Sequence, residues 1–326
     1  MHTRNSRRDL IRSVVAASGI APLLFAADMH EASGQGRTYD DPDAASIRLM
    51  QEDQTEAVVE IWEKEFEKRP YDDTVRETLH LTLLAHVSRS LDKGELRKAQ
   101  DGFSRAKELI PTFPTYAYFE ETLNLYGSMI AKAPMNGSEF EPANSWDFES
   151  RFVEILGIFG GQSKVFALTA KEADNFNWYQ LSLLRQGSEG VAIRFLTYPM
   201  GSNGTIHSIV GVQPGRRDYI SAALQWTGSS SADLYLGIIR NDEPSWSNLG
   251  YVSIEVDQWH IWEVRMRGNT LQLWIDMELI AQEIVLDYEP GSVGFGVGLN
   301  SYQAGSTFSA AFDDFVVYSL GKSQSL

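Results

Sequence analysis

The sequence predicts a multi-domain α + β protein, a short α-helical segment followed by an antiparallel β-sandwich, and three observations carry that prediction. Over residues 43–133 apolar residues recur at three- and four-residue spacing, the period of an amphipathic helix. Beyond the turn Ala133-Pro134-Met135-Asn136-Gly137-Ser138, over 145–320, short runs alternate apolar and polar residues between Gly, Ser, Asn and Asp clusters. Of the eight tryptophans, seven (Trp146, Trp178, Trp226, Trp246, Trp259, Trp262 and Trp274) lie past that turn, where aromatic-rich strands would use them. With 326 residues, 43% of them hydrophobic, the chain is long enough for two cores.

The N-terminal element is an export signal. Arg4, Arg7, Arg8 and Arg12 precede a moderately apolar run from Ser13 to Ala27 that contains Ser18, Gly19 and Pro22. A spanning helix needs about 20 apolar residues, so this run reads as a signal rather than an anchor. Ser6-Arg7-Arg8-Asp9-Leu10-Ile11 resembles the twin-arginine export motif, which implies an extracytoplasmic destination: periplasm, cell envelope or medium. Cleavage near Ala27 or near Ala32 fits equally. Residues 28–42 are polar and contain glycine, which makes them a linker.

The helical segment, 43–133, carries three stripes: Val58, Ile61, Trp62 and Phe66; Leu79, Leu83, Leu84 and Val87; Leu96, Ala99, Phe103, Ala106 and Ile110. Pro70, Gly94 and the Pro111/Pro114 pair punctuate them, so about five helices are expected. The stretch from Leu83 through Ala99, Phe103 and Ala106 to Pro111, with Val87 where a small residue is usual, resembles a tetratricopeptide repeat, and Val58, Trp62 and Pro70 echo it once, with Glu65 where a small residue belongs. Two irregular units are fewer than the three or so a stable solenoid needs. Two uses fit such a segment, a helical cap on the second domain or a docking surface for another protein.

In the β-rich segment the strand candidates are 146–157, 164–170, 178–186, 190–197, 207–212, 219–226, 233–240, 251–256, 259–267, 270–276, 293–299 and 308–319. Without intervening helices, so many short strands point to two packed antiparallel sheets. The hairpin Trp259-His260-Ile261-Trp262-Glu263-Val264-Arg265-Met266-Arg267-Gly268-Asn269-Thr270-Leu271-Gln272-Leu273-Trp274-Ile275-Asp276, with Val293-Gly294-Phe295-Gly296 and Ala311-Phe312-Asp313-Asp314-Phe315 behind it, resembles the concanavalin A-like lectin/glucanase superfamily. Laminin G-like modules and 3-keto-disaccharide hydrolase-type domains carry similar segments. The resemblance implies a jelly-roll sandwich, with glycan binding as its use or glycoside hydrolysis as the alternative. Asp276-Met277-Glu278 stands where these families place Asp-Gly at a turn.

Alternation places His260, Trp262, Val264 and Met266 on one side of the hairpin and Glu263, Arg265, Gln272 and Trp274 on the other. A broad aromatic ring can stack on a sugar's apolar face while planar polar groups bond hydroxyls in pairs. Trp274, Arg265, Glu263 and Gln272 are therefore candidate ligand-binding residues. Tyr219, Gln225 and Tyr235 join them if their strands lie alongside, and Trp246 in the loop 241–248 is a second aromatic candidate. The other use of Trp274 is to cover the helical domain.

Composition removes several chemistries. A formal net charge of −16 opposes a phosphate-backbone partner, so no nucleic acid is expected. The absence of cysteine removes disulfides, thiolate metal sites and cysteine nucleophiles. His80 and His86, six apart on a helix, share no face for a metal and read as surface or partly buried residues. Glu255-Val256-Asp257 lacks the third carboxylate of a glucanase strand, and Gly294-Phe295-Gly296-Val297-Gly298 leads into no helix. Asp313 and Asp314, with Glu149 near the opening strand, are the candidate ligands for a structural calcium; the alternative is a turn cap or a salt bridge. No reaction emerges, and the partner expected is a glycan or cell-envelope polysaccharide, with a protein at the helices as the second candidate.

Overall fold

The computed structural model describes residues 42–51, 53–133, 146–148, 153–158, 163–170, 176–181, 190–215, 217–226, 228–299 and 307–321. The expected signal, residues 28–41 of the expected linker, and Glu149 lie outside them. The chain divides into two compact units between Leu123 and Asn124.

The first unit contains α1 (Pro42–Gln51), α2 (Thr55–Lys68), α3 (Asp73–Asp92), α4 (Leu96–Leu109) and most of α5 (Tyr116–Leu125). Asp72 starts α3, its side chain accepting from the backbone N–H groups of Thr74 and Val75, which satisfies two otherwise unpaired donors. Val58 and Trp62 of α2, Leu79, Leu83 and Val87 of α3, and Ala99, Phe103 and Ala106 of α4 are buried. Helices α3 and α4 meet closely at Gly102, where a Cβ would lie 3.2 Å from Val87 Cγ2. The small residue that close helix crossing requires is thus Gly102, opposite the bulkier Val87. His80 is fully buried rather than at the surface, paired to the Tyr116 hydroxyl at 2.9 Å. Among the described residues no helix is long and apolar enough to cross a membrane.

The second unit is the antiparallel sandwich. Its strands are β1 (Tyr126–Ala133), β2 (Trp146–Phe148), β3 (Val153–Ile158), β4 (Ser163–Ala170), β5 (Phe176–Leu181), β6 (Gly190–Met200), β7 (Gly204–Val212), β8 (Tyr219–Trp226), β9 (Ser231–Arg240), β10 (Glu243–Ser253), β11 (His260–Arg267), β12 (Thr270–Ile275), β13 (Glu278–Ile284), β14 (Ser292–Leu299) and β15 (Phe308–Leu320). One sheet runs β13-β12-β11-β6-β15-β4-β3, with β1 also paired to β15; the other runs β10-β9-β8-β7-β14-β5-β2. Between them Phe195 is surrounded by Trp262, Phe295, Phe312 and Phe315, ring centroids 5.8–5.9 Å away. Each such side chain removed from water stabilises the fold by about 1.5–3 kcal/mol.

Three of the elements that differ from the sequence reading do so for an identifiable reason. Residues 126–133 form β1, not helix: Tyr126 pairs with Leu320 and Met129 with Tyr318, so sheet pairing overrides local helical composition. The expected loop 241–248 is mostly strand, because Asn241 and Asp242 take φ of 53° and 67° and reverse the chain in two residues, which lets β10 begin at Glu243. Asp276 and Met277 do the same at φ of 50° and 69°, creating the unforeseen β13 from a turn that contains no glycine.

Candidate functional site

The structure separates the predicted ligand-binding residues onto two sheets. Trp274, Arg265, Glu263 and Gln272 share the outer face of the first sheet, as alternation implies: Glu263 pairs with Trp274 and Arg265 with Gln272. Arg194 of β6 adjoins them, opposite Glu263. That face is closed. Arg194, Glu263 and Arg265 are each 0–1% exposed and Trp274 is 7% exposed.

The buried groups satisfy one another. Glu263 accepts from Arg194 Nη1 at 3.3 Å and from Arg265 Nε, bridging two guanidinium groups. Arg265 lies 4.5 Å from the Trp274 ring centroid and 5.9 Å from that of Tyr126, which itself stacks on Tyr318 at 4.1 Å. The π-face a sugar would need is occupied by a cation, an arrangement favourable where water is excluded. Trp274 Nε1 points to Gln272 Oε1 at 3.5 Å, and Gln272 donates to Gln282 at 2.9 Å. This cluster fastens β1, β6, β11, β12 and β15 to one another, and it corrects the expectation of an open aromatic platform at Trp274.

Tyr235, Tyr219, Gln225 and Trp246 lie on the second sheet, so Tyr235 cannot share a site with Trp274. The inward positions of that sheet are Ile206 and Val210 on β7, Leu224 and Trp226 on β8, Leu234 and Leu236 on β9, and Phe295 on β14. Alternation therefore turns Thr205 and His207, Tyr219, Ser221, Ala223 and Gln225, and Asp233, Tyr235 and Gly237 outward. Register sets these in rows: Trp246 beside Gly237 and Ser221; Asn248 beside Tyr235, Ala223 and His207; Tyr251 beside Asp233, Gln225 and Thr205.

Trp246 is the prominent feature of this face. It stands on edge strand β10, 45% exposed, with its six-membered ring lying over Gly237. A Cβ at 237 would fall 2.6 Å from Cη2 and 2.7 Å from Cε3 of that ring, so only glycine lets the indole lie down. The His207 ring meets it edge-on at 5.9 Å. His207 is fixed in turn by two hydroxyls, Ser221 Oγ at 2.9 Å on Nδ1 and Thr205 Oγ1 at 2.7 Å on Nε2. Burial pushes His207 down to about 3, so it is neutral. A hydroxyl donates or accepts, so either tautomer of the neutral ring finds both partners.

His207, Asp233 and Thr205 are outward-facing residues the sequence reading passed over. The signal was there in the alternation of Thr205, His207 and Ile209 against Ile206, Ser208 and Val210. Glycoside hydrolysis uses two carboxylates. On the outer face of β7 to β10 and β14, among the described residues, Asp233 is the one carboxylate. Glu255 and Asp257 sit in the connection between β10 and β11, Asp257 at φ 58°.

Asp313 and Asp314 lie at a bulge, and Glu149, expected beside them, is outside the described residues. Register shifts between Asp313 and Val316, Asp314 takes φ 48°, and its backbone N–H donates to Asp313 Oδ1 at 2.9 Å. Among the described residues no group of three His, Asp or Glu side chains is placed to hold a metal. Elsewhere His260 is clamped between Asp276 Oδ2 at 2.7 Å and the Glu255 carbonyl at 2.8 Å. Burial alone would lower it, but the bond to Asp276 and that carboxylate's charge prevail and raise it.

No protein-family model and no curated protein matches the sequence. Among solved structures, the chain is similar to a Bacillus licheniformis beta-glucanase at 12% identity, covering 59% of this chain and 98% of that one with a TM-score of 0.42. It is similar to the carbohydrate binding module CBM66 from Bacillus subtilis at 12% identity, covering 54% and 96% with a TM-score of 0.39. It is also similar to the carbohydrate recognition domain of Emp47p at 12% identity, covering 60% and 97% with a TM-score of 0.42. These are likenesses of outline.

Proposed function

We propose that this is an exported glycan-binding protein that holds its ligand on the outer face of the seven-stranded sheet, with Trp246 as the stacking platform. The observation that carries the reading is the posture of Trp246: an exposed indole seated over Gly237, with Asn248 and Tyr235 in the adjoining row. An aromatic ring ordered before binding offers a sugar its apolar stacking surface without losing side-chain entropy at that moment. The amide of Asn248 and the hydroxyl of Tyr235 are suited to bonding ring hydroxyls. Export rests on the Arg7-Arg8 motif, and replacing both arginines by lysine should leave the protein in the cytoplasmic fraction.

The test is retention on a panel of insoluble and immobilised polysaccharides. Wild type and Trp274→Phe should be retained alike, whereas Trp246→Ala should be released. Equal retention of wild type and Trp246→Ala would remove the face from consideration.

A further inference from the structure

We propose that Asp233 makes this face selective for glycans without acidic groups, an inference that rests on the glycan-binding reading above. Asp233 is the third residue of β9, in register with Gln225 on one side and Tyr251 on the other, and two residues from Tyr235. Its carboxylate is partly exposed, so it is available to a ligand crossing the sheet.

Distance along the strand links it to the platform. Gly237, beneath Trp246, is four residues away, about 13 Å at the usual rise of a β-strand. An oligosaccharide stacked on Trp246 and running along β9 therefore passes over Asp233. An ionised carboxylate only accepts hydrogen bonds, so it matches sugar hydroxyls, which donate. It repels a uronate, sulfate or phosphate brought to the same place, since like charges set against each other across an interface disfavour binding. Among the described residues of β7 to β10 and β14, no Lys or Arg side chain stands on the outer face to offset that charge. The chain's net charge of −16 adds a long-range field of the same sign.

A glycan array carrying neutral, uronate-bearing and sulfated oligosaccharides, probed with the full chain, tests this. Wild type should give signal on neutral glycans alone. Asp233→Lys should bring acidic glycans up by about tenfold or more, a gain that fades as salt is raised, because 1.4 kcal/mol of altered interaction is a factor of ten. The isosteric Asp233→Asn keeps the strand surface and should give a smaller gain of the same sign. Strong wild-type signal on acidic glycans, or no gain in Asp233→Lys, overturns the selectivity while leaving glycan binding in place. Silence on every glycan overturns the binding reading itself, and the selectivity with it.

Discussion

The indole of Trp246 lies over Gly237, its cross-strand partner, in space that a single added methyl would fill. Gly237→Ala should therefore lift the ring and weaken glycan retention without touching any polar group of the face. Trp246→Ala should abolish retention with little loss of stability, because almost half of that residue is already in solvent. Retention assays paired with thermal melts separate the two effects.

Trp274→Ala should act in the opposite way. A buried indole replaced by Ala costs about 3–5 kcal/mol, and here Arg265 also loses the ring beneath it. Chemical denaturation should show that loss, while glycan retention at temperatures where the variant stays folded should equal wild type.

Glu263→Gln keeps the shape of the side chain and removes the charge between Arg194 and Arg265. Breaking a buried ionic bridge from one side costs about 3–5 kcal/mol. The variant's urea midpoint should fall accordingly. An unchanged midpoint would mean that the two arginines are balanced without Glu263.

Two histidines of the sandwich give opposite pH dependence. His207 is held down at about 3 by burial, so its neutral form stabilises the fold fully above the ordinary value of 6.5. That contribution is lost as pH falls from 6.5 towards 3, at up to about 1.4 kcal/mol per pH unit. His260 is raised by Asp276 despite burial, so its contribution is complete below 6.5 and is lost as pH rises through its folded value. Urea midpoints measured across pH should show the acid limb flattening in His207→Gln. The loss on the alkaline side should disappear in His260→Gln.

Met277 holds a left-handed conformation, φ 69°, that glycine adopts without steric cost. Met277→Gly should raise stability by about 1 kcal/mol, read as a higher melting temperature.

The division of the chain into helices and sandwich was legible because it rests on periodicity, which Leu79, Leu83 and Val87 express on one side and Leu271, Leu273 and Ile275 on the other. The hairpin 259–276 was readable in detail, since Gly268 at φ 52° supplies its reversal. The turn at Asp276-Met277 hides a strand because Met277 is not a residue that signals positive φ, and Asn241-Asp242 marks a turn without saying how soon the next strand begins. The face of Trp274 was read correctly as a set of neighbours and wrongly as a surface. Alternation reports which residues share a side, but burial of Arg265 and Glu263 depends on contacts distant in sequence. His207 was missed for a related reason: its meaning comes from Ser221 and Trp246, on two other strands.

Strand β15 is flanked by β6 on one side and by β4 and then β1 on the other, its partner changing at the Asp313–Asp314 bulge. β15 is thus an interior strand of its sheet. Until residues 308–320 are present, β1, β4 and β6 lack the partner that joins them in the folded sheet. The sheet is therefore completed only once residues 308–320 are present, by pairings among the most distant in the sequence. Refolding should be slow for its size, and the interval before closure is when the chain is most exposed to aggregation.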